Sequence, residues 1–344
     1  MRFSLLILGE HPPQPLAGLV RQAEAAGCDI FWYADEKFYR DPFVGLTLAA
    51  QASTRIRLGT GVTEPYARHP ALLAMAVASL DEVAGGRAVL GIGAGGSGFP
   101  PMGVERRSPA RAIPEAVAII RGLLRGETVE FSGRVFSFRR GRLNFPARPG
   151  IPIYVAARGR AMLRAAGAVA DGVIIAPYAS PRGLRFAIDR VAEGAAGSGR
   201  ALQELDLVAR VDVCIAADRA AARQAVRSAV ALPMWISYPN LSYLDPLGLP
   251  PPPEDLVAVL ARRDYALISQ AAALVPDAYL DHLAVAGTLE DVVAQLDQIR
   301  RAGIAHITLR PVPPPGGTVQ GVVEALARDV MPRFGAEAPA ERRR

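Results

Sequence analysis

The chain has 344 residues, 51% hydrophobic and 21% charged, with a formal net charge of +6. That balance suits a soluble protein with a large core, and an α/β barrel of this length can be one domain. Two cysteines, four histidines without metal-ligand spacing and no apolar run of about 18 residues argue against a disulfide framework, a zinc site and a membrane span. The apolar stretch 3–8 is too short for a signal peptide, so the cytoplasm is the default compartment. Basic residues are scattered and form no stripe with interleaved aromatics, so nucleic acid is not an expected partner. The run Arg342, Arg343, Arg344 is a chain end expected to fray. Cys28 and Cys214 read as buried thiols.

Residues 2–8 predict a first strand. Residues 15–26 place Leu16, Leu19, Val20 and Ala23 on one helical face, and Gly27 stops that helix. A second strand at 29–34 precedes a helix opening at Pro42, a third at 57–62 precedes a helix over 70–84, and a fourth at 88–93 precedes a long helix over 109–125. The pattern then breaks. Val129, Phe131, Val135, Phe136 and Phe138, with turn residues at 132–133 and 140–141, predict a hairpin over 128–145. Strand and helix resume at 153–157 and 161–170, at 172–176 and 182–196, and at 207–216 and 219–231. The irregular stretch 233–253 carries Trp235, Tyr238, Tyr243 and four consecutive prolines, and reads as a lid or wall. Helices are expected over 254–274 and 276–283. A final helix over 289–302, capped by Thr288 and stopped by Gly303, leads to a last strand at 306–310.

Eight strands alternating with helices predict a closed parallel (β/α)8 TIM barrel, one domain over 1–344 with insertions near 128–146 and 233–285. The run Gly91-Ile92-Gly93-Ala94-Gly95-Gly96 matches a dinucleotide fingerprint, but it leads into Pro100-Pro101 and not into a helix whose N–H groups could meet a pyrophosphate. Its glycines instead permit close backbone approach at a barrel mouth.

Barrels act at the C-terminal ends of their strands. Those ends deliver Glu10, then Asp35, Glu36 and Lys37, then Gly61, Val62, Thr63 and Glu64, then Gly93, Ala94 and Gly95. Further round come Ala156, Ala157, Arg158 and Gly159, then Ala176 and Tyr178, then Arg310. The rim thus gathers acids, aromatics, arginines and small residues.

The stretches 32–42 (WYADEKFYRDP), 56–70 (IRLGTGVTEPYARHP), 80–95 (LDEVAGGRAVLGIGAG) and 286–303 resemble the luciferase-like monooxygenase superfamily. Within it they resemble the branch of methylenetetrahydromethanopterin reductase and its F420-dependent relatives. The resemblance implies a deazaflavin ring at the barrel mouth over a non-proline cis peptide, here Gly61–Val62. It implies coenzyme contacts from Gly61, Val62, Thr63, Gly93, Ala94, Gly95, Ala156, Ala157, Ala176 and Tyr178. The coenzyme tail carries a phosphodiester and glutamates, and Arg158, Gly159 and Arg160 open the fifth helix where an anion is favoured. Glu36, Glu10 and Asp35 are the candidate acids for proton delivery alongside hydride transfer to a small-molecule substrate. A homodimer through the second and third helices is implied, with Ala74, Met75, Ala76, Val77 and Ala78 as packing residues. FMN-dependent monooxygenase and catalytically silent flavin-binding paralogue remain the alternatives.

The sequence departs from its relatives in three places. Gly95-Gly96 stands where sugar-phosphate dehydrogenases carry an acid, Asp35-Glu36 where many members have Asp-His, and Leu5-Leu6-Ile7 where pterin reductases carry a Glu. Neither sugar phosphate nor methanogenic pterin is therefore assumed as substrate. Its walls are expected from 128–145 and 233–253.

Overall fold

The computed structural model describes residues 1–96 and 98–335, so the basic run at 342–344 lies outside the described residues. In chain order β1 (Arg2–Ile7), α1 (Pro13–Ala25), β2 (Ile30–Tyr33), α2 (Pro42–Gln51), β3 (Arg57–Thr60), α3 (Pro70–Val83), β4 (Ala88–Ile92) and α4 (Pro109–Leu124) form the first half. The hairpin β5 (Val129–Ser132) and β6 (Ser137–Gly141) interrupts it. Then follow β7 (Ile153–Ala157), α5 (Arg160–Val169), β8 (Gly172–Ile175), α6 (Pro181–Ala196), β9 (Asp206–Ile215) and α7 (Arg219–Ser237). Three short helices, α8 (Glu254–Ala261), α9 (Ile268–Leu274) and α10 (Asp277–Leu283), precede β10 (Val285–Gly287), α11 (Leu289–Arg301), β11 (His306–Pro311) and α12 (Val319–Ala325).

Strands β1, β2, β3, β4, β7, β8, β9 and β11 pair in parallel in that order, and β11 returns to β1. This closes the expected eight-stranded TIM barrel. The short β10 adds to the C-terminal end of β9, with Val285 opposite Val213. Strand alternation sorts the side chains. Ile30 and Trp32 point into the barrel with Leu6, Val89, Tyr154, Ile174 and Val208, while Phe31 and Tyr33 join the layer under the helices. Trp32 needs room. A methyl on Gly59 would sit 2.5 Å from its indole, so glycine there is a packing requirement.

Several expectations hold in detail. Gly27 and Gly303 take the left-handed conformation at their helix ends, and Thr288 caps α11 reciprocally with Asp291. The glycine run after β4 leads into a loop, and the next α-helix starts only at Pro109. Cys214 is buried as expected and Cys28 half-buried, and desolvation pushes the Cys28 thiol up to about 12 and Cys214 up to about 11, so both stay protonated.

Others are corrected. The stretch 233–253 is not irregular from its start, because α7 continues through Pro233 to Ser237. Burying Met234 and Trp235 outweighs the one backbone bond that a proline forgoes. The predicted 254–274 helix is broken after Ala261. Arg263 is left-handed, and Asp264 restarts the chain by accepting from the Ala266 N–H. The hairpin packs on α4, where Glu115 accepts from the N–H groups of Arg134, Val135 and Phe136. Its Phe136 and Phe138 lie against His69, and no hairpin residue lines the barrel mouth, so it is not a substrate wall.

Candidate active site

At the end of β2 and β3 the backbone carries Asp35, Lys37 and Glu64 into one buried cluster. Lys37 Nζ lies 3.1 Å from Asp35 and 2.9 Å from Glu64, and all three side chains are at most 11% exposed. Asp35 also accepts from Thr63 Oγ1 at 2.6 Å, and Glu64 from the N–H groups of Tyr66 and Ala67. The cluster is a strut between two strand ends. Asp35, expected as an acid, belongs to this cluster and also lines the mouth, while Thr63, expected as a coenzyme contact, donates to Asp35 from behind the lining. Lys37 is the chain's single lysine among 39 basic residues, which sets it apart in the sequence. Replacing Lys37 by Met leaves the buried Glu64 without its cation and Asp35 with only Arg68, 3.7 Å away. The expected cost is about 3–5 kcal/mol, read as a lowered urea midpoint with an unchanged slope.

The remaining strand ends build a floor of small residues. Gly61, Val62, Gly93, Ala94, Gly95, Ala156, Ala157 and Ala176 all line the mouth. The Gly61–Val62 peptide is cis, as expected. Gly95 has a φ of 61°, and a side chain there would press 2.5 Å from Phe99. Glu36 lines the mouth half-buried, while Glu10 is exposed at its edge.

Arg158 and Gly159 face the cavity at the start of α5, whose N-terminus has no side-chain cap. Arg160 does not face it. Its guanidinium stacks 5.6 Å over the Phe186 ring on α6. Tyr178 is fully buried behind the site, donating to the carbonyls of Arg158 and Tyr243, so it supports the wall and does not line it. In place of Arg160 the loop after β4 supplies Arg106, which donates to the Gly95 carbonyl at 3.2 Å and lines the same cavity. Nothing in the exposed run Glu105-Arg106-Arg107 marked it. Burial lowers the Arg158 pKa, and Arg106 nearby lowers it further against the opposing Tyr243. The Arg158 guanidinium lies 5.3 Å over the Tyr243 ring, and among the described residues no carboxylate pairs with it. Two converging cations with a helix N-terminus favour an anion.

The 233–253 segment does wall this mouth, through Ile236, Ser237, Asn240, Ser242 and Tyr243. Trp235 takes no part in the lining, because it is packed edge-on against Tyr265 under Arg263. The mouth cavity holds about 390 Å³ and adjoins an inner compartment of about 360 Å³, the two sharing Glu36, Val62, Ala156 and Arg158. Each is of ligand size.

A larger cavity of about 650 Å³ opens at the opposite end of the barrel. There Asp29, Asp206 and His306 bring ligand-type atoms within 4.8 Å, and Ser4, His306 and Asp206 line up like a catalytic triad at 2.7 and 2.9 Å. Arg2 and Arg57 pair with these carboxylates, and Ser4 Oγ is fully buried and accepts the Ile30 N–H. This end is therefore a structural seal, and the chemistry belongs at the C-terminal mouth.

The fold and mouth are those of a (β/α)8 enzyme in which two arginines face a cleft over a small-residue floor. The sequence profile of the luciferase-like monooxygenase family matches residues 1–306. The 5,10-methylenetetrahydromethanopterin reductase of Methanolobus tindarius is 32% identical over 333 residues, covering 96% of this chain and 100% of that protein. The F420-dependent glucose-6-phosphate dehydrogenase of Beutenbergia cavernae is 36% identical over 246 residues, covering 65% of this chain and 70% of that protein. The structure of the coenzyme F420 dependent tetrahydromethanopterin reductase of Methanopyrus kandleri superposes with a TM-score of 0.84 at 28% identity, covering 97% of this chain and 99% of that one. The chain belongs to the luciferase-like monooxygenase family. No helix among the described residues is long and apolar enough to cross a membrane.

Proposed function

We propose that the protein is an F420-dependent oxidoreductase that moves a hydride between the deazaflavin and a small organic substrate. The observation that carries this reading is the pair Arg106 and Arg158 facing a mouth floored by small residues. The flat floor suits a tricyclic ring, and the cations suit an anionic tail. Curated relatives that match most of this chain include F420-dependent enzymes.

The bound deazaflavin supplies the hydride chemistry. The chain's own residues bind and orient. Val62 and Ala156 would set the floor under the ring, Arg158 and the start of α5 would hold the tail, and the strut of Asp35, Lys37 and Glu64 keeps the ends of β2 and β3 in register. Glu36, lining both cavities, holds the proton that accompanies hydride transfer. Glu10, exposed at the edge, is the weaker placed acid. We read the whole chain as one barrel domain acting in the cytoplasm.

Titration of the purified protein with F420 and with FMN tests the assignment. F420 binding is expected at least tenfold tighter, followed by the quenching of its fluorescence. Equal or tighter FMN binding would return the protein to the oxygen-using monooxygenases.

The protein is further proposed to be a homodimer. On α2 and α3 the large apolar side chains Val44, Leu72, Met75 and Val83 are 63, 53, 45 and 53% exposed. Of the small-residue run expected at the interface, Ala74, Val77 and Ala78 face inward instead, so Leu72 and Met75 form the face. The double change Leu72→Glu and Met75→Glu is expected to yield a monomer in sedimentation at micromolar concentration, with coenzyme affinity retained. An unchanged dimer mass would move the interface elsewhere.

A further inference from the structure

The inner compartment has a charge arrangement that the coenzyme reading does not use. Parallel register sets Arg310 on β11 opposite Asp212 on β9, and Arg210 two residues away points to the same face. Asp212 accepts from Arg210 at 2.8 and 3.1 Å and also from Arg310. One carboxylate, 1% exposed, thus serves two guanidiniums that are 17 and 15% exposed. Arg158 lines the same space and lies close enough to bear on Arg210. With Arg158 left to the coenzyme tail, the inner end holds two cations, Arg210 and Arg310, against one anion, Asp212. Glu10 and Glu36 also line the compartment, but they stand near Tyr39 at its outer edge, where Tyr39 and Tyr265 are 43 and 53% exposed. Thr308, 1% exposed, lines the compartment with a hydroxyl that has no hydrogen-bond partner among the described residues. Leu8, Ile174, Leu232 and Ile268 supply the apolar walls.

We propose that this compartment is the substrate subsite for a small organic acid, its carboxylate or phosphate seated against Arg310 and Arg210 and its apolar body between the leucine and isoleucine walls. A guanidinium left with half a carboxylate in a secluded cavity has donors to spare, and its planar fork matches two oxygens of an incoming anion. Asp212 offsets one of its two guanidiniums, and the ligand's charge offsets the other. Calling that ligand a substrate rests on the proposed coenzyme site. The anion site itself does not.

Trp32 lines the compartment, and Trp235, the other tryptophan, does not. A Trp235→Phe protein therefore reports on the compartment through Trp32 fluorescence, with or without coenzyme. Benzoate is expected to change that signal saturably, and benzamide, its neutral analogue, to need at least a tenfold higher concentration. Arg310→Met leaves Asp212 paired with Arg210, so the fold keeps its buried ion pair, and benzoate should weaken tenfold or more. Arg310→Lys should restore most of the loss. Thr308→Val, which removes an unpartnered hydroxyl, should weaken benzoate without lowering stability. Inorganic phosphate binding tighter than benzoate would assign the same site to a phosphate ester. Equal binding of benzoate and benzamide, or benzoate indifferent to Arg310→Met, overturns the proposal. So does competition between benzoate and F420, which would give the compartment to the coenzyme. Failure of F420 to bind at all defeats the coenzyme reading and leaves the benzoate result standing.

Discussion

Removing both mouth cations, Arg106→Met with Arg158→Met, should weaken F420 binding about a hundredfold at low salt, or roughly 2.7 kcal/mol. Arg158 carries most of this. It is half-buried and faces the cavity with no carboxylate partner among the described residues, whereas Arg106 is exposed and screened. The salt dependence of binding should flatten with it. Arg160→Ala is the matched control, because its guanidinium stacks on Phe186 outside the cavity, and it should leave affinity unchanged. Equal losses at Arg158 and Arg160 would show that the tail runs along the outside of α5.

Asp206→Ala should cost about 3–5 kcal/mol, read by urea unfolding. Asp206 sits at the sealed end of the barrel and joins four elements. It accepts from Arg2 on β1, from Tyr154 on β7 and from His306 on β11, while starting β9 itself. Burial by itself would raise its pKa. The His306 hydrogen bond and charge, with Arg2, outweigh burial and hold the carboxyl well below the usual carboxylate range. A carboxyl depressed in the folded state stabilises it above the unfolded pKa of about 4, and that contribution is lost as pH falls from there through the folded value. The wild type should therefore lose stability steadily below about pH 4, and the Asp206→Ala protein should show a shallower acid limb. Parallel acid limbs would place the protonation event on other carboxylates.

The barrel was legible because each βα unit carries its own period and its own punctuation. Gly27, Thr288 and Gly303 act locally, so local residues announce them. Strand β10 escaped notice because three residues show no period, and the extension of α7 was hidden by Pro233, which reads as a stop although burial of Met234 and Trp235 carries the helix past it. The site was legible as a set of strand ends but not as a set of side-chain directions. Arg158 and Arg160 are alike in sequence, yet one turns to the cavity and the other to Phe186. Arg106 looked like any solvated charge. The Arg210–Asp212–Arg310 group spans about a hundred positions, and only the β9–β11 register brings it together.

The single lysine has a practical corollary for anyone attaching the protein to a surface or a dye. Lys37 is locked between Asp35 and Glu64 with 11% of its side chain exposed, so an amine-directed reagent should modify it slowly while the strut is closed. A dye reaches Lys37 only in chains whose strut has opened, so the extent of labelling reports on that local opening.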